Sequence, residues 1–297
     1  MGIGLFLLVV AGCGVPRSIK TEPSVSPETP PELSRIDPED QRVPFEADKL
    51  LENSSQKILV PPPEFPRGSQ ASSFPFSVGE QLEYDVTWFG ISAGTILMEV
   101  TEPKGAPYFL LRVLIQTSSG FSVFYRIHDL MEIFVDKKTL LPLRVVLHRD
   151  EGKKQEVEET VFYRDRGEVE TLKGGERKKY SIPLEARDEI SAIYWVRGAS
   201  LASIGSMRIP VFSSKRTYDV KIQAVRKERI KTVGGEIEAL VVRPEAWYDV
   251  EKKEKGEVDF WLTEDARHVP VQIRAKVKIG SLFLRLKNYR WGEGTPS

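Results

Sequence analysis

Three residues in the middle of the chain come closest to the spacing of a metal-binding or catalytic cluster: His128, Asp129 and Glu132. Imidazole and carboxylate groups are metal ligands and proton carriers. Neighbouring side chains on a strand point to opposite faces, so we expect His128 and Asp129 to diverge. The sequence contains no phosphate-binding loop, His-Glu-x-x-His motif or dinucleotide fingerprint. We therefore predict no metal site, no catalytic residue and no cofactor.

A second pair of candidates, Glu83 and Asp85, lies on one face of an alternating segment. Two nearby carboxyl groups can act as acid and base, for example on a polymer of the cell envelope. Because apolar residues alternate with them, we expect both carboxylates to face solvent. Solvated charges are the favoured interpretation, and we predict that the protein is not an enzyme.

Aromatic residues are the remaining candidates for a site. One interpretation is that they pack a core; the other is that some line a cavity, where an apolar ligand would bury its surface. The candidate cavity residues are Trp88, Phe89, Phe121, Phe124, Tyr194, Trp195 and Trp261.

Charge and cysteine content exclude several classes of function. The chain has 43 basic and 43 acidic residues, so it lacks the net positive charge that favours nucleic-acid binding. Its single cysteine permits neither an internal disulfide nor a thiolate metal site. A hydrophobic share of 40% is enough for a folded core. The composition therefore predicts a globular domain that does not bind nucleic acid.

The N-terminus indicates export. Ile3 to Ala11 form an apolar run that is too short to span a bilayer but has the length of a signal-peptide core. The tetrad Val10-Ala11-Gly12-Cys13 resembles the bacterial lipoprotein box, which implies removal of residues 1–12 and acylation of Cys13. Because the run lacks a basic flank, we expect the true start to lie upstream. Gly14 is not the aspartate that retains enterobacterial lipoproteins, so we predict the periplasmic face of the outer membrane.

Residues 13–74 are predicted to be a tether. Between Gly14 and Pro75 lie 12 of the chain's 20 prolines, which remove backbone donors and prevent a regular helix or sheet. Such a disordered segment spans about 45 Å on average. A partner-binding segment around Phe45 to Val60 is the alternative.

The folded part, residues 75–297, is predicted to be mainly β. Leu82, Tyr84, Val86 and Trp88 alternate with polar residues, as do several later segments separated by glycine or charged clusters. This pattern is typical of an antiparallel meander.

The spacing from Asp188 to Arg197 predicts a single central helix. Apolar residues recur every three or four positions, Asp188 can cap the start and Gly198 can end it. We expect Arg197 to keep its charged head in water.

A weak internal repeat predicts two similar halves of a curved, half-barrel-like sheet. Tyr84-Asp85-Val86 returns as Tyr218-Asp219-Val220, and a strand, a turn and a proline-led strand occur twice, at Pro142 and Pro270. The proline at the start of a strand costs little, because the missing N–H is not needed there.

Three stretches, FSVGEQLEYDVTWFGISAGTILMEV, DEISAIYWVR and WLTEDARHVPVQIRAKVKIGSLFLRL, resemble the bacterial "domain of unknown function 3108" family. The resemblance runs from Phe74 to about Tyr289 and implies an exported protein without an established activity. More distantly, the chain resembles lipoprotein carriers of the LolA and LolB type, which implies a curved antiparallel sheet around an apolar cavity.

These observations favour a non-catalytic envelope lipoprotein whose β domain binds a lipid, an acyl chain or another apolar envelope component. The alternative is an assembly module that binds another envelope protein through a sheet edge or an apolar patch. In both cases the lipid anchor makes the membrane a partner.

Overall fold

The structure, a computed structural model, describes residues 74–123, 125–199, 201, 205–248, 251–252, 257–277 and 279–292. The predicted signal peptide, Cys13, the tether and Phe124 lie outside these residues. Neither of the helices described below is long and apolar enough to cross a membrane.

The described residues form fifteen strands and two helices. The strands are β1 Gln81–Trp88, β2 Ile91–Thr101, β3 Tyr108–Thr117, β4 His128–Asp136, β5 Pro142–Glu151, β6 Lys154–Tyr163, β7 Glu168–Lys173, β8 Glu176–Ser181, β9 Ser206–Ser213, β10 Arg216–Thr232, β11 Gly235–Tyr248, β12 Glu251–Lys252, β13 Val258–Thr263, β14 Pro270–Lys276 and β15 Ser281–Arg290. The helices are α1 Ser119–Ser122 and α2 Glu189–Arg197.

The strands form one antiparallel sheet in which nearly every strand pairs with its neighbours along the chain. In addition β1 pairs with β15, while β13 pairs with β11 because β12 pairs only with β11. The two ends of this path are β8 and β9, so the sheet is curved but not closed. The predicted antiparallel meander is confirmed.

The two proline-led strands of the repeat are also present. Pro142 opens β5 and Pro270 opens β14. Beside each one the register shifts, between Phe134 and Val135 in the first half and between Trp261 and Leu262 in the second. The repeat therefore corresponds to the same local bend in both halves of the sheet.

The central helix is confirmed as α2. The Asp188 carboxylate accepts hydrogen bonds from the backbone N–H groups of Ile190 and Ser191, at 2.9 and 3.1 Å, and Gly198 ends the helix. The expectation that Arg197 keeps its head in water is wrong. Its side chain is 1% exposed and its guanidinium pairs with the buried carboxylate of Glu80. The partner Glu80 is 117 positions away in sequence, so the residues near Arg197 do not predict it.

The segment before α2 crosses the gap between the two ends of the sheet. The backbone N–H of Arg187 donates to the carbonyl of Pro210, and its carbonyl accepts from the N–H of Phe212. The Phe212 ring in turn packs against Phe162 of β6, with 6.2 Å between ring centroids. Part of the β9 edge is therefore covered, and the two sheet ends share a small apolar cluster.

Candidate functional site

A cavity of about 70 Å³ lies between α2 and four strands of the second half of the sheet. Strands β9, β10, β11 and β13 supply one wall and the helix supplies the other. The lining is mostly aliphatic and aromatic: Glu189, Ala192, Ile193, Val196, Arg197, Ile209, Val211, Tyr218, Val220, Ile222, Val242, Pro244, Phe260 and Leu262.

The helix can line a cavity because it is apolar on two faces. Ile190 and Tyr194 belong to the main core, where the Tyr194 ring packs edge-on against Phe76 at 5.3 Å. Ala192 and Val196, on another face, line the cavity. A helix that is apolar almost all round is an interior element, and this one has sheet on more than one side.

Strand alternation explains the opposite wall. Ile209 and Val211 are two residues apart in β9 and pair with Val220 and Tyr218 of β10. Directly paired residues share a face of the sheet, so these four side chains point together toward the helix. The apolar wall thus follows from the register between β9 and β10.

Glu189 is the acidic residue of the cavity lining. Burial raises the pKa of its carboxyl to about 7, and the nearby charge of Asp188 adds to this rise, whereas the Ser213 hydroxyl opposes it. Near neutral pH the group can therefore both donate and accept a hydrogen bond. It provides a polar contact point in an otherwise apolar space.

The far end of α2 is fixed by a buried ion pair. The guanidinium of Arg197 donates to both carboxylate oxygens of Glu80, at 2.8 and 2.7 Å. It also donates to the carbonyls of Pro75 and Arg267, at 3.0 and 3.1 Å. The Nδ1 atom of His268 lies 2.6 Å from the Arg197 carbonyl oxygen. These contacts hold the helix, and with it one wall of the cavity, in place.

Three of the predicted aromatic residues lie together away from the cavity. The ring centroids of Trp88 and Phe89 are 5.2 Å apart, and those of Trp88 and Phe121 are 6.0 Å apart. They meet where the β1–β2 turn approaches α1.

The other predicted aromatic residues are separate from that group. Tyr194 and Trp261 are buried, and Trp195 is half-buried beneath the guanidinium of Arg187, 4.6 Å from the ring centroid. None of the six described aromatic candidates is among the residues that line the cavity. The lining residues were missed because aliphatic side chains on strands look like core. The second apolar face of the helix, Ala192-Ile193-Val196, is the sequence feature that could have indicated the cavity.

The residues predicted as a possible acid–base or metal cluster each contact a different neighbour in the sheet. His128 contacts the Gln116 amide at 3.3 Å, while Glu132 pairs with Arg112 at 3.2 Å. Asp129 is fully buried and accepts a hydrogen bond from the N–H of Asp150 at 2.7 Å. Among the described residues no group of three His, Cys, Asp or Glu is arranged to hold a metal ion.

Glu83 and Asp85 do not both face open solvent as expected. Glu83 is buried, 3.2 Å from the Lys287 ammonium and 2.5 Å from the Asn288 amide. Asp85 lies 3.8 Å from the same ammonium. The expectation of solvation is wrong for Glu83, because β15 pairs with β1 and brings a cation to the two carboxylates.

Gly90 to Gly94 have the Gly-x-Ser-x-Gly spacing of a hydrolase nucleophile elbow. That elbow requires a sharp strand-to-helix turn at the serine. Ser92 instead lies in the antiparallel strand β2, and its carbonyl accepts a hydrogen bond from the Ser118 hydroxyl. The spacing therefore gives no support for a nucleophile.

One end of the inner face of β5 to β7 carries charged residues. Leu147, a core residue, pairs with Glu158, which pairs with Lys173, so these three side chains share a face. The Lys173 ammonium lies 2.8 Å from Glu156 and 3.0 Å from Glu158. This charged end of the face therefore does not provide an apolar lining.

A family model described as "Protein of unknown function (DUF3108)" matches residues 83–287, more than half of the chain. The chain belongs to the DUF3108 family. This match covers both halves of the sheet and α2, so the DUF3108 region includes the whole cavity lining.

A solved structure shares the fold of this DUF3108 protein. A beta-barrel-like protein of domain of unknown function DUF1849 from Brucella abortus is 11% identical, with a TM-score of 0.55, covering 73% of this chain and 99% of its own. A putative exported protein with a YmcC-like fold from Bacteroides fragilis is 13% identical, with a TM-score of 0.28, covering 73% and 98%. Among curated proteins, none matches the chain. The resemblance to LolA and LolB carriers stays a prediction.

Proposed function

We propose that this DUF3108 protein is a non-catalytic, lipid-anchored protein of the bacterial envelope whose β domain binds an apolar group. The cavity between α2 and β9–β13 carries the proposal. The lipoprotein box at Cys13 supports the anchor and placement on the periplasmic face of the outer membrane.

The size of the cavity limits the ligand. One water molecule needs about 10–15 Å³ of such space, so about 70 Å³ holds a short segment and not a whole lipid. Each methylene transferred from water to an apolar site contributes about 0.8 kcal/mol. The end of one alkyl chain fits these limits, with the rest of the ligand outside the cavity.

Native mass spectrometry with decanoic acid tests the proposal. The full chain carrying Cys13→Ser, purified without detergent, should bind one molecule of this probe. Ala192→Leu places a larger side chain in the cavity and should weaken binding at least tenfold. Ala266→Leu, in the exposed β13–β14 turn, is the matched control and should bind normally.

Two results would contradict the proposal: no adduct on the full chain that carries only Cys13→Ser, or equal binding by the Ala192→Leu and Ala266→Leu variants. Should Ala192→Leu lower the thermal midpoint by several degrees, Val211→Ile, which adds a single methyl group to the opposite wall of the cavity, replaces it.

The alternative, an assembly module that pairs through a sheet edge, has less support. The outer strand β8 reads Glu-Arg-Lys-Lys-Tyr-Ser, and charged residues on an edge strand oppose pairing with another strand. The β9 edge is partly covered by Arg187, which bridges to Val211. The remaining option for an interaction surface is an exposed apolar patch.

A further inference from the structure

An exposed apolar patch lies at one end of the sheet, where the β1–β2 turn, the α1 segment and the β14–β15 turn meet. We call it the aromatic rim. Four of its side chains are largely exposed: Phe89 (64%), Ile91 (62%), Val123 (82%) and Ile279 (63%). Trp88 and Phe121 support them from below.

The rim is held by defined contacts. The Trp88 indole N–H donates to the carbonyl of Ile279 at 2.9 Å, which joins the β1–β2 and β14–β15 turns. The Phe89 ring lies directly over Gly280, where a Cβ atom would come within 2.7 Å of the ring. The Ser118 hydroxyl and N–H bond to the carbonyls of Ser92 and Ala93. The β1–β2 turn, the β14–β15 turn and the segment before α1 are thus fixed to one another.

The backbone at Phe89 is strained. Phe89 and Gly90 form a two-residue turn and both have positive φ, 49° and 77°. Asn-Gly or Gly-Gly is usual in such turns, and a left-handed conformation costs a residue with a Cβ about 1–2 kcal/mol. A strained position that exposes a large aromatic ring is better explained by function than by folding.

Two ion pairs lie beside the rim. The Arg126 guanidinium lies 2.5 Å from Asp150, and the Lys276 ammonium lies 3.4 Å from Glu257. Near the rim these pairs provide no net charge that would select an anionic partner. The rim therefore suits a surface that is apolar beneath a zwitterionic layer.

We propose that the aromatic rim inserts into the headgroup region of a lipid bilayer. Tryptophan and other aromatic side chains are enriched at this depth, and short apolar loops bind there without spanning. This inference goes beyond the cavity and does not depend on it.

The predicted tether permits such contact with the membrane that holds the anchor. The described chain begins at Phe74, before β1, and the rim lies at the other end of β1. Strand β1 has eight residues and is therefore about 27 Å long. A tether that spans about 45 Å can therefore let the rim reach the same bilayer.

Co-sedimentation with phosphatidylcholine vesicles tests the proposal, using the full chain carrying Cys13→Ser so that no acyl chain contributes. Phe89→Asn should lower the partition coefficient about tenfold, because it removes the most prominent ring. Asparagine suits the left-handed turn, so the fold should remain intact. The matched control is Val233→Asn, in the β10–β11 turn at the opposite end of the sheet, where Val233 is 72% exposed. It should change partition less than twofold.

Raising the salt concentration from 0.05 to 0.5 M should leave binding unchanged within twofold, because apolar insertion into a zwitterionic bilayer does not depend on unscreened charge. Absence of vesicle binding, or equal binding by Phe89→Asn and Val233→Asn, would overturn the proposal. A protein that does not bind vesicles but self-associates, and loses this self-association in the Phe89→Asn variant, would also overturn the proposal. Ala192→Leu should bind vesicles normally, which separates this surface from the cavity.

Discussion

The guanidinium of Arg197 and the carboxylate of Glu80 form a two-point ion pair that is almost completely buried. The two residues are 117 positions apart, and the pair joins the end of α2 to the residue before β1. The carbonyls of Pro75 and Arg267 accept two further hydrogen bonds from the same guanidinium. This pair fixes the central helix across the end of the sheet.

Breaking the pair should be costly. Arg197→Met leaves an uncompensated buried carboxylate at Glu80, so we expect a loss of about 3–5 kcal/mol in the free energy of unfolding. Urea denaturation measures it. The double variant with Glu80→Leu should recover part of this loss. Arg226→Met breaks an exposed pair with Glu228 and should cost less than about 1 kcal/mol. Equal effects from both single substitutions would contradict the importance of burial.

Two buried tyrosines give a matched test of hydrogen bonding. The Tyr84 hydroxyl donates to the carbonyl of Pro270 at 2.8 Å, whereas the Tyr194 hydroxyl has no partner among the described residues. Tyr84→Phe should destabilise the fold by about 1–2 kcal/mol, and Tyr194→Phe should be neutral or stabilising. Thermal and urea unfolding compare them. A larger destabilisation by Tyr194→Phe than by Tyr84→Phe would contradict these two hydrogen-bond environments.

Gly94 should not tolerate a side chain. A Cβ atom there would lie 2.1 Å from the carbonyl oxygen of Gln116 on the paired strand β3, so backbone would have to move. We expect Gly94→Ala to lower the free energy of unfolding by more than about 2 kcal/mol. Gly120→Ala meets nothing within 4 Å and should be close to neutral. A mild Gly94→Ala would mean that β2 and β3 are spaced differently.

The free energy of unfolding should fall as the pH rises from 5 to 8. Burial raises the pKa of Glu189 and of Asp129 to about 7, with a further rise from Asp188 and Glu151 respectively. The folded protein therefore binds more protons than the unfolded chain between about pH 4 and 7, and it loses this advantage as the pH increases. We expect a total loss of about 1–3 kcal/mol, measured as urea midpoints.

Substitutions identify the groups responsible for this pH dependence. Glu189→Gln and Asp129→Asn should each flatten the profile. Glu156→Gln is the control, because hydrogen bonds from Lys154 and Lys173 lower the pKa of Glu156 to about 2, outside the pH range tested. A profile that only Glu156→Gln flattens would contradict the assignment.

The anchor predicted at Cys13 is tested in the cell. Metabolic labelling with palmitate should mark the unsubstituted protein, and Cys13→Ser should abolish the label. Gly14→Asp should keep the label but shift the protein to the inner membrane where the enterobacterial sorting rule applies. Labelling that survives Cys13→Ser would overturn the lipoprotein interpretation.

Local interactions explain what the sequence alone determined. Alternation at Leu82 to Trp88 requires only that one face of a strand be buried, and the Asp188 cap requires only the next three residues. These signals act over a few positions, so the strands, the helix and its ends could be predicted. Strands β7, β8, β9 and β12 were not predicted; in β8 the charged residues show no alternation.

Only the tertiary structure decided where the chemistry lies. Arg197 is buried because the fold brings Glu80 to it, and Glu83 is buried because β15 brings Lys287 beside β1. The cavity depends on the register of Val211 with Tyr218 and on a second helix face, and the aromatic rim depends on three distant turns meeting. Side chains that are far apart in sequence become neighbours only through strand pairing. Composition and spacing therefore predict the elements but not the site.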